Sequence, residues 1–132
     1  MSKRILGPVV LCAWLLASAS LQAHHSLSGV YDVRKVGKVT GVVTKVLFTN
    51  PHGAIYVRVK NADGTTTDWV MTTGSANALA NLGFVGGGKN NVEPGDTVTI
   101  TYFGARNGKP LGFIRSITLP DQREIQIYDR TK

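Results

Sequence analysis

The chain has 132 residues, room for one domain and too few for a large multi-domain enzyme. Fifteen Lys and Arg against eight Asp and Glu give a net charge of +7, basic without naming a partner. A hydrophobic fraction of 42% argues against a disordered chain, and the fifteen Gly show no collagen-like period.

Residues 1–23 have the three parts of a secretory signal peptide. Lys3 and Arg4 give a positive start, Ile5 to Ala17 an apolar run, and Ala17 to Ala23 a small, polar end. The run is shorter than the roughly 20 residues that span a bilayer. Cleavage is expected after Ala23, with Ala19 as the alternative. Cys12 follows Leu11 inside the apolar run, which does not fit a lipoprotein. Removing residues 1–23 takes away Lys3 and Arg4, lowering the charge from +7 to +5, and removes the one Cys. An exported domain without disulfides depends on its hydrophobic core. The expected compartment is the bacterial periplasm, with no membrane span after cleavage.

Residues 24–37 lack a sustained period and are expected to form an extended arm, followed by a β-domain over 38–132. Val39 to Phe48 is rich in Val and Thr and predicts a strand, with Val42, Val46 and Phe48 on one side. Gly41 would mark a coil or bulge. Asn50-Pro51-His52-Gly53 predicts a turn. Ala54 to Lys60 alternates as a second strand, and Asn61-Ala62-Asp63-Gly64 is a hairpin signal into a third, Thr65 to Thr72. Ser75 suits an N-cap for a short helix over Ala76–Leu82, ended by Gly83. Phe84 to Glu93 is expected to be a loop. Thr97–Phe103 and Leu111–Leu119 are the fourth and fifth strands, and Glu124–Tyr128 a sixth at one edge. This order predicts a mainly β fold. Its form is a small OB-like barrel of five to six strands, with one short helix between strands 3 and 4.

Neither nucleotide binding nor hydrolase chemistry finds its pattern. Gly83-Phe84-Val85-Gly86-Gly87-Gly88-Lys89-Asn90 nearly spells a phosphate-binding loop, but Asn90 stands where Ser or Thr would hold magnesium. That loop must also follow a strand and open a helix, whereas here a helix precedes it. No mature Cys, nucleophile elbow or His-Glu-x-x-His pair is present, so no enzyme activity and no catalytic residue are expected.

The histidines give a sharper clue. With cleavage after Ala23, His24 carries a free α-amine beside its imidazole, and His25 or His52 could add a second ring. Nitrogen-rich, tetragonal ligation of this kind suits Cu(II). The thirteen residues from His25 to Lys38 reach about 43 Å when extended. The first strand is about 33 Å long, so the arm can reach the His52 turn. The alternative reading is a plain polar arm and a hydrogen-bonded turn.

Phe48, Tyr56, Trp69, Tyr102 and Phe103, with Arg58, Lys60, Arg106 and Lys109, could form a stacking surface for single-stranded nucleic acid. Otherwise Trp69, Phe48 and Phe103 are core and the cations solvated. Export argues against a nucleic-acid partner. The same basic loops could meet a partner protein or an anionic envelope polymer. A monomer is expected.

Several motifs together resemble a family of small exported bacterial proteins of unknown function. They are His24-His25-Ser26, Thr40-Gly41-Val42-Val43-Thr44-Lys45-Val46, Phe48-Thr49-Asn50-Pro51-His52, Gly74-Ser75-Ala76-Asn77-Ala78-Leu79 and Pro94-Gly95-Asp96. The likeness covers about 24 to 120. Leu27, Phe48 and Ala76 depart from the family pattern, and Gly86 to Asn91 looks longer than usual. The resemblance implies an exported β-barrel domain and supplies no activity.

Overall fold

A computed structural model describes residues 27–128. Residues 27–30 are helical and belong to a unit separate from the one that starts at Tyr31. From Tyr31 onward the chain builds six strands and one helix. These are β1 (Tyr31–Leu47), β2 (Ala54–Lys60), β3 (Thr66–Thr72), α1 (Ala76–Asn81), β4 (Thr97–Ala105), β5 (Leu111–Thr118) and β6 (Glu124–Gln126). Among the described residues no helix is long and apolar enough to cross a membrane.

The strands pair in the order β3-β2-β1-β4-β5-β6, and β3 also pairs with β5. That last contact is parallel, Val70 to Leu111 through Thr72 to Phe113, and it closes β1-β2-β3-β5-β4 into a ring. The result is an OB-type barrel, with β6 added to the outer edge of β5. Closure removes the open edges that would otherwise invite pairing with other chains.

β1 serves two neighbours. Val36 to Val42 pairs with β4, and Val42 to Leu47 pairs with β2. The change of partner falls at Gly41–Val42. A Cβ on Gly41 would lie 2.5 Å from the Arg58 carbonyl oxygen, so the close crossing demands glycine. The strand begins at Tyr31, inside the segment expected to be an arm. A register shift between Tyr31 and Val36 hides the period there. Tyr31 is nonetheless anchored: its hydroxyl and that of Thr72 hydrogen-bond at 2.7 Å, and its ring lies 5.8 Å from that of Phe113.

Bulges also correct the expected facing of side chains. The shift between Val43 and Lys45 puts Val43 into the core and leaves Val42 44% exposed, the reverse of a plain alternation. On β5, the shift opposite Thr101–Tyr102 lets Ile114 and Ile117, three apart, both reach the interior. With Ile55, Val57, Met71, Val98 and Ile100 they fill the barrel.

α1 covers one end of the barrel. Ser75 Oγ accepts from the Ala78 amide at 3.2 Å, and Asn50 Oδ1 accepts from the Ala76 amide at 3.0 Å. The β1–β2 turn and the cap thus hold the helix start together. Leu79 points into the core, and so does Phe84, which is fully buried just after the helix. The sequence pattern places Phe84 in a loop because it stands among glycines with no period around it. The loop itself is pinned. Asn90 Nδ2 donates to the Leu82 carbonyl at 2.6 Å, and Arg123 donates to Asn90 Oδ1 at 2.8 Å and to the Lys89 carbonyl at 2.9 Å. Asn90 is a buried structural residue rather than part of a phosphate cradle.

Removing the Phe84 ring opens a cavity at the helix-covered end. Phe84→Ala should lower unfolding free energy by about 3–5 kcal/mol in a denaturant titration. A silent substitution would mean that the ring sits in solvent.

Candidate functional site

The barrel's other end lies away from α1. It is approached by the first half of β1, the first half of β3, the second half of β4 and the β4–β5 turn. Trp69 shares its strand face with the core residue Met71, and Tyr102 shares one with Ile100, so both rings turn toward the interior. Both are partly buried and pack against the core cluster. Their centroids are 5.0 Å apart and their planes meet at 53°.

Glycines make room for Tyr102. Gly37 of β1 is its cross-strand partner, and a Cβ there would lie 2.5 Å from the phenol's Cζ and Oη. Gly112 of β5 lies on the other side, where a Cβ would come within 2.6 Å of Cδ2. The ring therefore rests on bare backbone of two neighbouring strands. Its partial burial raises the pKa of the phenol, which stays neutral and able to donate.

The two rings border an open cleft of about 230 Å³. Lys35 enters from β1 and Lys109 from the β4–β5 turn, and Gly104 and Gly108 also line it. The turn is tight: Gly108 has φ 72°, and Asn107 Oδ1 accepts from the Lys109 amide at 3.1 Å. Among the described residues, no carboxylate lines this cleft. The carboxylates flanking it in sequence are engaged elsewhere. Asp68 forms a two-point ion pair with Arg58 at 2.7 and 3.1 Å on the outer face. Asp32 pairs with Arg34, whose hydrogen bonds hold its carboxyl below the usual range.

The structure divides the aromatic set considered from sequence. Trp69, Tyr102 and Lys109 come together. Phe103 is buried on the outer side, beneath Arg115 and beside Tyr128. Tyr56 carries Lys45 over its face, and Phe48 packs partly buried against the core. Trp69 packs against the core cluster while remaining partly exposed at the cleft. Lys35 was not expected at a site at all. Strand glycines at Gly37, Gly104 and Gly112 were the available signal, since such positions mark where something lies close on the backbone.

His24 and His25 fall outside the described residues. His52 is exposed in the β1–β2 turn, where its carbonyl accepts from the Thr49 hydroxyl at 3.0 Å and the Asn50–Pro51 bond is cis. The cleft draws no residue from that turn. Among the described residues, no three His, Cys, Asp or Glu side chains cluster as a metal site.

Fold and cleft together define a small OB-type barrel with a cationic, aromatic opening. The chain belongs to DUF6152, a family of unknown function, whose profile matches residues 12–114. No curated protein matches the sequence. Among solved structures it is similar to the mitochondrial single-stranded DNA binding protein Rim1 of S. cerevisiae. Identity is 14% and the TM-score 0.49, over 64% of this chain and 92% of that one.

The glycine seat for Tyr102 can be tested by coupling. Gly37→Ala should cost about 1–3 kcal/mol of stability through overpacking. In a Tyr102→Ala background the same change should cost far less, and denaturant titration of the four proteins measures the difference. An unchanged cost would place the ring elsewhere.

Proposed function

We propose that this chain is an exported, non-enzymatic binding module that docks an anionic envelope component at the open end of its barrel. One observation carries the reading. Lys35 and Lys109, from distant parts of the chain, border the same cleft as the Trp69–Tyr102 pair, and among the described residues no carboxylate lines it. Two unneutralised cations beside a partly dry aromatic wall attract a negative group more strongly than the same lysines would on an open surface. The aromatic wall then supplies contact area that charge alone does not. The export signal and the surplus of basic residues agree with a partner in the envelope.

The expected behaviour is salt-dependent retention on immobilised polyglutamate. Lys35→Gln and Lys109→Gln should each weaken binding roughly two- to five-fold at low salt, with smaller effects as salt rises. Retention unchanged in the double variant would refute docking at this cleft.

A second reading keeps the metal. His52 is exposed, and the contact holding its turn runs through its carbonyl, so the imidazole is accessible to a ligand. In this proposal the processed amino terminus at His24, with His25 or His52, holds one Cu(II). Protons compete with metal for imidazole, so affinity should fall on acidification. Calorimetry should show weaker Cu(II) binding for His52→Ala if the arm reaches the turn. One extra residue placed before His24 should weaken binding in either arrangement. Equal binding by all three proteins would refute the site.

A further inference from the structure

The cleft has a size, a wall angle and a floor that narrow its occupant beyond charge. At about 230 Å³ it lies below the roughly 300–1,000 Å³ of sites that enclose drug-sized molecules. It suits one ring, and its open side lets that ring continue into a longer chain. Trp69 and Tyr102 meet at 53°, forming a corner rather than parallel plates. A flat base is best held by stacking on a full face. A corner instead meets two sides of a puckered, saturated ring through its C–H groups. Gly104 and Gly108 carry no side chains, so hydroxyl groups on such a ring can approach the backbone there. The Tyr102 hydroxyl adds a neutral donor and acceptor at the same wall.

The cations point the same way. Lys35 and Lys109 are compact charges on flexible stems, suited to a single carboxylate without fixed two-point geometry. A site that tracks nucleic acid needs a basic groove and successive stacking platforms. Here the cleft has one aromatic corner. Tyr56 lies under Lys45, and Phe103 is packed away beneath Arg115.

We infer that the cleft binds one carboxylate-bearing pyranose unit of an acidic polysaccharide. The sugar ring lies against Trp69 and Tyr102, and its carboxylate sits between Lys35 and Lys109. This rests on the anionic-docking reading above and names the chemistry of its ligand.

The test uses the processed exported chain and four probes: trigalacturonate, maltotriose, triglutamate and trithymidylate. Calorimetry gives affinities, and Trp69 emission reports the wall. Trigalacturonate should bind at least ten-fold more tightly than the other three and shift Trp69 emission. Trp69→Phe should abolish the emission change. Lys35→Gln combined with Lys109→Gln, both on exposed side chains, should lower trigalacturonate affinity at least ten-fold without affecting unfolding. Triglutamate binding as tightly would overturn the sugar assignment while leaving anionic docking standing. Trithymidylate binding more tightly would replace the sugar with a nucleotide. Maltotriose binding equally, or none of the four binding, would overturn both the sugar assignment and the docking reading.

Discussion

The fold depends on a short parallel contact between β3 and β5. Three residue pairs, from Val70–Leu111 to Thr72–Phe113, turn a curled sheet into a closed ring. Closure creates an interior that must be filled and two ends that must be treated separately. Backbone bonds reinforce the seam, since the Val70 amide donates to the Pro110 carbonyl at 3.0 Å. Side chains reinforce it too: Thr72 Oγ1 donates to the Gly112 carbonyl at 3.2 Å and hydrogen-bonds Tyr31. The first residue of β1 is thereby tied to the last pairing that the ring makes. Tyr31 and Phe113 also join a second apolar cluster with Phe103 and Tyr128 outside the barrel.

The two ends are treated differently. At one, α1 brings Leu79 and the following residues bring Phe84, both essentially sealed from water. At the other, Trp69 and Tyr102 close the interior with rings that remain half in solvent. Glycines on the strands beneath make this possible, because any larger residue at Gly37 or Gly112 would occupy the ring's place. Strand glycine weakens the sheet by its backbone entropy. An aromatic ring laid over the glycine restores contact area that the missing side chain gives up. The barrel thus holds its shape at this end while leaving faces and a hydroxyl accessible.

Much of this fold was legible in the sequence where one period operates at a time. β2 is bounded by Ala54 and Lys60 as its alternation predicts, and Ser75 caps α1. Legibility fails where a local irregularity interrupts the period. Thr44 is the extra residue that reverses Val42 and Val43, and the shift after Tyr31 disguises the start of β1. Phe84 escapes for a different reason: its burial depends on the barrel end below it, and nothing in Gly83-Phe84-Val85-Gly86 signals that. The cleft is less legible still. Lys35 looks like part of an arm and Lys109 like a hairpin turn, and only the β1–β4 pairing and the turn into β5 bring them to one place. The histidine pattern drew attention because three similar residues stand out in a short chain, whereas the cleft combines unlike ones.

The proposed docking accounts for an end of the barrel that stability alone does not. A barrel selected for stability alone would seal that end as it seals the other, with aliphatic side chains removed from water. Each apolar surface left exposed forfeits burial worth about 25 cal/mol per Å². Here the exposed wall is aromatic, one ring carries a hydroxyl, and the charges bordering it are both positive. Aliphatic packing would need none of those three features. Glycine on three strands and in the bordering turn adds flexibility and removes side-chain contacts, which again opposes stability. Features that each cost stability, gathered at one end of an otherwise tightly filled barrel, are what the docking proposed above would require. Proteins depart from local consistency at such places, and the departure here is confined to the end away from α1.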